Sequence, residues 1–148
     1  MSSIYKKYLR LIYNSNDELS FRRAVKLHEG VGNATADQLW RELEQRRSDS
    51  AKKLQGNLVE ALLSIAGRRA KKGVQRFVAV VGELAQPSMQ KTPDEMIRVL
   101  LDSFYGDYLE QKFLNGKERR DDIMQLADYA AGYDDLAAFM NELALVEE

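Results

Sequence analysis

The segment Gly30-Val31-Gly32 is the part of the sequence whose residue types and spacing best suit ligand chemistry. Glycine is unfavourable inside a helix, so two glycines around one valine predict a sharp turn between two helices. A helix is predicted to begin near Asn33, and the first backbone N–H groups of a helix lack internal partners and favour an anion. We therefore expect the turn to hold one DNA backbone phosphate; the alternative is a turn that only connects two helices. The residues expected to contact the phosphate are Gly30, Val31, Gly32, Asn33, Ala34 and Thr35.

The residues around the turn are typical of a helix-hairpin-helix-like (GVG) motif. Gly30 and Gly32 are expected to adopt backbone angles that other residues avoid. Val31 is predicted to pack between the helices, and the small Ala36 is predicted to let them approach closely. Trp40 continues the face that we expect to be buried.

Basic residues lie on both sides of this turn along the sequence. The three that precede it, and that are expected to supply charge to the phosphate, are Arg22, Arg23 and Lys26. A denser cluster follows at Arg68, Arg69, Lys71 and Lys72. This cluster is expected either to contact phosphates, which would make binding salt-dependent, or to form a solvated helix face.

The net charge of −1 hides an asymmetry between the two halves of the chain. Residues 1–76 carry 16 Lys and Arg against 8 Asp and Glu, whereas residues 77–148 carry 6 against 15. A basic first half favours a polyanionic partner. The alternative is ordinary variation in surface charge.

The composition argues against several kinds of catalytic and metal site. The chain has no cysteine, which excludes disulfides, thiol catalysis and cysteine-ligated zinc, and its one histidine, His28, excludes multi-histidine metal sites. We expect His28 to be a surface residue; the alternative is a residue that contacts DNA or responds to pH near neutrality. A base-excision enzyme using Asp49 is disfavoured because the neighbouring residues are polar. Solvation rather than acid–base chemistry is expected for the carboxylates of Glu42, Glu44, Asp121, Asp122, Asp134 and Asp135.

Apolar residues recur at helical spacing along nearly the whole chain, with no strand-like alternation. The sequence therefore predicts an all-α fold, with residues 1–148 forming a single multi-helix domain of seven or eight helices. The second helix is predicted over Glu18–Leu27. A later helix is predicted to begin at Pro93, with Thr92 as its cap and Glu95 completing a capping box, and to end or bend at Gly106. Asp134 is predicted to cap the last helix.

The hydropathy pattern predicts a protein of the cytoplasm. No apolar run is long enough to span a bilayer, so no membrane partner is expected. The first residues contain no apolar signal core, so secretion is not expected either.

Several motifs of this sequence resemble the 2B subdomain of superfamily 1A DNA helicases of the UvrD/Rep/PcrA type. The segment Tyr8-Leu9-Arg10-Leu11-Ile12-Tyr13-Asn14 is similar to the helix that opens that subdomain. Gly30-Val31-Gly32 resembles the family's Gly-Ile-Gly motif, with Thr35 at the position of its threonine. Residues 136–146 resemble the helix that leads back to the motor core. The family has Pro and Arg before the glycines, where this chain has Leu27-His28-Glu29.

The resemblance implies a duplex-DNA-binding and regulatory subdomain of an ATP-dependent 3′–5′ DNA helicase. Its implied partners are duplex DNA and the helicase motor domains, and it is implied to swivel between open and closed positions. The chain lacks a G-x-x-x-x-G-K-[ST] phosphate loop, so no cofactor is expected here, and ATP and Mg²⁺ are expected only in the parent helicase. The alternative is a helical protein-interaction or autoregulatory module in which the hairpin is purely structural.

Overall fold

The computed structural model describes residues 5–49, 58–66 and 71–146, and these residues form one all-α domain. The helices are α1 Tyr5–Tyr13, α2 Glu18–Val25, α3 Asn33–Asp49, α4 Leu58–Ala66, α5 Lys72–Leu84, α6 Pro93–Leu100, α7 Gly106–Lys112, α8 Gly116–Ala130 and α9 Leu136–Val146. A short 3₁₀ turn at Met89–Lys91 precedes α6, and a π-helical turn at Leu101–Tyr105 joins α6 to α7. The described residues contain no strand, so the predicted fold class is confirmed.

An aromatic cluster at the centre of the domain joins α1, α2 and α5. The Tyr8 and Phe77 rings lie 5.8 Å apart, and the Phe21 and Phe77 rings 5.5 Å apart. Trp40 of α3 packs on Phe21 at 5.2 Å between ring centroids, as its predicted place in the core requires. Close packing of aromatic rings stabilises a fold more than the burial of their area alone. This cluster therefore fixes the relative positions of α2, α3 and α5.

The structure agrees better with the predicted helix starts than with the predicted helix caps. Pro93 begins α6 as predicted, but the Thr92 hydroxyl donates to the Met89 carbonyl at 3.0 Å rather than capping the helix. Glu95 instead lies 3.4 Å from Arg98, so the predicted capping box is wrong. The predicted cap at Asp134 is also wrong, because the carboxylate of Asp135 accepts from the backbone N–H of Ala138 at 2.8 Å.

Two predicted helix ends differ from the structure. The second helix ends at Val25 rather than Leu27, because Lys26 and Leu27 already belong to the turn towards Gly30. At Gly106 the chain neither stops nor leaves the helical path. Instead, a π-helical turn brings it from α6 into α7 without a break. Such turns accommodate an extra residue within a helix.

In the part of the chain that the structure describes, no helix combines the length and the apolar character needed to cross a membrane.

Candidate nucleic-acid interface

The turn between α2 and α3 is built around a buried valine. Val31 is only 7% exposed and Ala36 is fully buried, as predicted. Gly30 has φ +82°, in the left-handed region that residues other than glycine rarely adopt. The backbone N–H of Val31 donates to the His28 carbonyl at 3.1 Å and closes the turn. The predicted connection of two helices by a sharp turn is thus present, while a DNA-binding role for it stays a prediction.

Gly32 differs from the expectation that both glycines need unusual backbone angles. Within the described residues Gly30 is the one glycine with positive φ, and a Cβ on Gly32 would have nothing within 4 Å. The prediction for Gly32 is therefore wrong. Gly32 is exposed at the start of α3, where its missing side chain leaves the helix end open to a ligand.

The N-terminus of α3 has backbone donors that its own helix cannot pair. The first helical hydrogen bond runs from the Ala36 N–H to the Gly32 carbonyl at 3.0 Å. The N–H groups of Asn33, Ala34 and Thr35 precede that bond and have no acceptor within the helix. Asn33 and Ala34 are exposed and Thr35 is half-buried, so these donors lie at the surface.

Two lysines from different parts of the chain converge on this helix end. Lys26 Nζ donates to Asn33 Oδ1 at 2.7 Å. Lys71 Nζ donates to Thr35 Oγ1 at 2.9 Å and to the Gly30 carbonyl at 3.2 Å. We call the α3 N-terminus with these two lysines the donor cluster: the backbone N–H groups of residues 33–35 and the side chains of Lys26, Asn33, Thr35 and Lys71.

The two lysines determine what the donor cluster offers to a ligand. An amide has an acceptor oxygen and a donor nitrogen, and a hydroxyl both accepts and donates. Because Lys26 occupies the Asn33 oxygen and Lys71 a lone pair of Thr35, the Asn33 NH₂ and the Thr35 O–H proton remain to donate. The cluster thus presents donors and positive charge, which suits an anion such as a phosphate.

Other basic residues predicted for the site are not part of the donor cluster. Arg22 is paired with the carboxylates of Asp37 and Glu18, the latter at 2.8 Å, so its charge is locally neutralised. Arg23 lies near α1, where it contributes to lowering the pKa of Lys7 after burial and Arg10. Arg68 and Arg69 lie outside the described residues.

Lys72 lines a separate cleft of about 330 Å³ between the turn, α5 and α7. The cleft is also lined by Arg76, and by the carboxylates of Glu29 and Asp107. Charges of both signs therefore meet in this cleft.

His28 is buried rather than at the surface, so that prediction is wrong. It is 5% exposed, it is hydrogen-bonded through Nε2 to the hydroxyl of Tyr8, and its ring lies 4.5 Å from that of Phe104. Burial, with a smaller contribution from the charge of Arg76, lowers the pKa of His28 to about 4. The bond to Tyr8 therefore joins the turn to the buried core through an uncharged histidine.

Sequence reasoning missed a group of cations on α1. The pKa of Lys6 is lowered by burial and by the charges of Arg10 and Lys7, which shows that these like charges are close. This group could have been predicted from the sequence. Arg10 follows Lys6 by four residues and Lys7 by three, and residues at these spacings share one face of a helix.

The comparisons with known proteins do not identify the chain. No protein family, curated protein or solved structure matches it. In the described ranges, no group of three or more His, Cys, Asp or Glu side chains is arranged to hold a metal ion.

Proposed function

We propose that this chain is a duplex-DNA-binding and regulatory subdomain of an ATP-dependent 3′–5′ DNA helicase. The observation that carries the proposal is the donor cluster, because the first N–H groups of α3 and two lysines meet there beside an exposed glycine. A helix N-terminus approached through glycine is a favourable place for a phosphate. The resemblance of residues 8–14, 30–35 and 136–146 to the helicase 2B subdomain is the second support.

The proposed contacts grip the duplex without reading its sequence. Every donor in the cluster suits a phosphate oxygen, and phosphate contacts fix register and orientation rather than base identity. Binding should therefore depend on salt, with a slope of about 0.9 in log K per log salt for each phosphate neutralised. The asymmetric charge of the chain would direct a duplex towards the basic half.

The remaining parts of the proposal rest on the resemblance. The partners would be duplex DNA and the motor domains of the parent helicase, in the cytoplasm. ATP and Mg²⁺ would act in those motor domains and not in this chain. Movement of the subdomain between open and closed positions would regulate unwinding.

The test is a titration of the protein against a fluorescent duplex of arbitrary sequence at two salt concentrations. We compare wild type with Gly32→Asp and with the matched control Gly32→Ala. Both side chains enter open space, and aspartate is a favoured helix cap, so the fold should persist. Only Gly32→Asp places a negative charge among the donors.

The proposal expects wild type and Gly32→Ala to bind the duplex and to weaken steeply with salt, while Gly32→Asp loses binding. Circular dichroism establishes that both variants keep their helices. An absence of wild-type binding at the lower salt concentration, or equal binding by Gly32→Asp, would contradict the proposal.

A second candidate function is a protein-interaction or autoregulatory module. One observation favours it: Leu114 is fully exposed between α7 and α8, beside Phe113, whose ring carries the guanidinium of Arg119 at 3.9 Å. Leu114 and the half-buried Phe113 expose neighbouring apolar surface, which a protein partner would cover. If the duplex titration fails, a Leu114→Ser variant tested for loss of binding to the helicase motor domains examines this alternative.

A further inference from the structure

The start of α5 lies directly against the backbone of the α2–α3 turn. A Cβ on Gly73, the second residue of α5, would overlap the carbonyl oxygen of Glu29. It would also lie 3.0 Å from Val31 Cγ2 and 3.2 Å from His28 Cβ. Since one of the groups it meets is backbone, the clash cannot be relieved by a rotamer change. The close approach therefore requires glycine at this position.

Lys71, the residue just before α5, depends on that approach. Lys71 lies two residues before Gly73, and its backbone is extended, with φ −67° and ψ 125°. From there its ammonium group reaches the Gly30 carbonyl and the Thr35 hydroxyl, which lie 41 and 36 residues away along the chain. If α5 moved away from the turn, Lys71 would move with it and lose both bonds.

We propose that Gly73 is a positioning residue for the donor cluster: its missing side chain seats α5 on the turn and so places Lys71 on Thr35. This inference rests on the proposed function, because the cluster is taken to bind a DNA phosphate. Gly73 itself touches no ligand. It acts through Lys71, and its effect on binding is the effect of Lys71.

Gly82 of the same helix supplies a matched control. A Cβ on Gly82 would lie 3.8 Å from Val59 Cγ1, which is an ordinary contact. Replacement of either glycine by alanine favours the helix through the backbone entropy of the unfolded chain. Only the change at Gly73 displaces the start of α5 from the turn.

The experiment is a double-mutant cycle read by duplex affinity and its salt dependence. The variants are Gly73→Ala, Lys71→Gln, the double variant and Gly82→Ala. We expect Gly73→Ala and Lys71→Gln each to weaken binding about tenfold, the size of one charge-assisted hydrogen bond. Each should also reduce the salt slope by about 0.9. The double variant should bind no more weakly than Lys71→Gln alone, and Gly82→Ala should match wild type.

Multiplicative effects in the double variant, or wild-type affinity in Gly73→Ala, would overturn the inference while leaving the proposed function standing. If Gly73→Ala fails to fold while Gly82→Ala folds, the inference is also overturned, because Gly73 then determines the fold rather than the place of Lys71.

A measurement without DNA separates this inference from the proposed function. We expect the amide and γ-methyl NMR signals of Thr35 to shift in Gly73→Ala as they do in Lys71→Gln, and to stay unchanged in Gly82→Ala. If wild type binds no duplex, the proposed function fails, and the Thr35 signals still decide whether Gly73 positions Lys71. Unchanged Thr35 signals in Gly73→Ala would overturn the inference.

Discussion

The hydroxyl of Tyr8 in α1 is hydrogen-bonded to Nε2 of His28, which lies just before the Gly30 turn, 20 residues further along the chain. The pair is enclosed by aromatic rings, with Phe77 5.8 Å from Tyr8 and Phe104 4.5 Å from His28 between ring centroids. Buried polar groups are costly unless they are paired, so this bond fixes one particular arrangement of α1 and the turn. The turn that carries the donor cluster is thereby anchored in the core.

Acid should destabilise the protein through His28. Burial lowers its pKa from 6.5 to about 4, so the unfolded chain binds the proton more readily than the folded protein does. The contribution of His28 to stability is then fully present above pH 6.5 and is lost as the pH falls from 6.5 towards 4. The shift corresponds to about 3 kcal/mol of unfolding free energy.

Urea denaturation between pH 7 and pH 4 measures this loss, with His28→Gln as the comparison. Glutamine keeps a hydrogen-bonding side chain but does not titrate in this range. The difference in unfolding free energy between wild type and His28→Gln should shrink as the pH falls. If both proteins lose stability in parallel across that window, His28 is not the group responsible.

Removing the phenol oxygen of Tyr8 should lower the free energy of unfolding more than removing an exposed phenol oxygen. Tyr8→Phe leaves the buried His28 nitrogen without a partner, which is expected to cost about 1–3 kcal/mol. Tyr129→Phe is the matched control, since its hydroxyl bonds Tyr133 at 2.8 Å on the surface. Thermal unfolding of both variants gives the comparison, and equal melting temperatures would contradict the structural role of the buried bond.

The two glycines of the turn should differ when each is changed to alanine. Gly30 has φ +82°, so alanine there is expected to cost about 1–2 kcal/mol. Gly32 lacks positive φ and faces open space, so alanine is expected to cost about 0.5 kcal/mol as a poorer helix cap. Chemical denaturation of the two variants measures both values. A larger loss of unfolding free energy for Gly32→Ala than for Gly30→Ala would contradict the left-handed backbone conformation of Gly30.

Local features of the fold were predictable because they depend on near neighbours in sequence. The helix start at Pro93, the packed Val31 and the buried Ala36 follow from fixed backbone angles, side-chain size and periodicity. The burial of His28 was not predictable in this way. It depends on Tyr8 and Phe104, which are distant along the chain and meet His28 only in the folded core.

The candidate site was predictable only in part. The start of α3 and the basic character of Lys26 are visible in the sequence, and the structure brings them together. The bond from Lys71 to Thr35 spans 36 residues and depends on how α5 packs against the turn, which helical periodicity does not specify. The pairing of Arg22 with Asp37 was missed for the same reason.

Lys26 and Arg22 should contribute unequally to duplex binding, although Lys26 follows the end of α2 only four residues after Arg22. Lys26 Nζ bonds Asn33 in the donor cluster, whereas Arg22 is paired with two carboxylates. Lys26→Gln is expected to lower the salt slope by about 0.9, the loss of one phosphate contact. Arg22→Gln removes the same formal charge but should leave that slope unchanged. Fluorescence anisotropy over a series of salt concentrations measures both slopes, and equal reductions would mean that binding follows net charge rather than the geometry of the cluster.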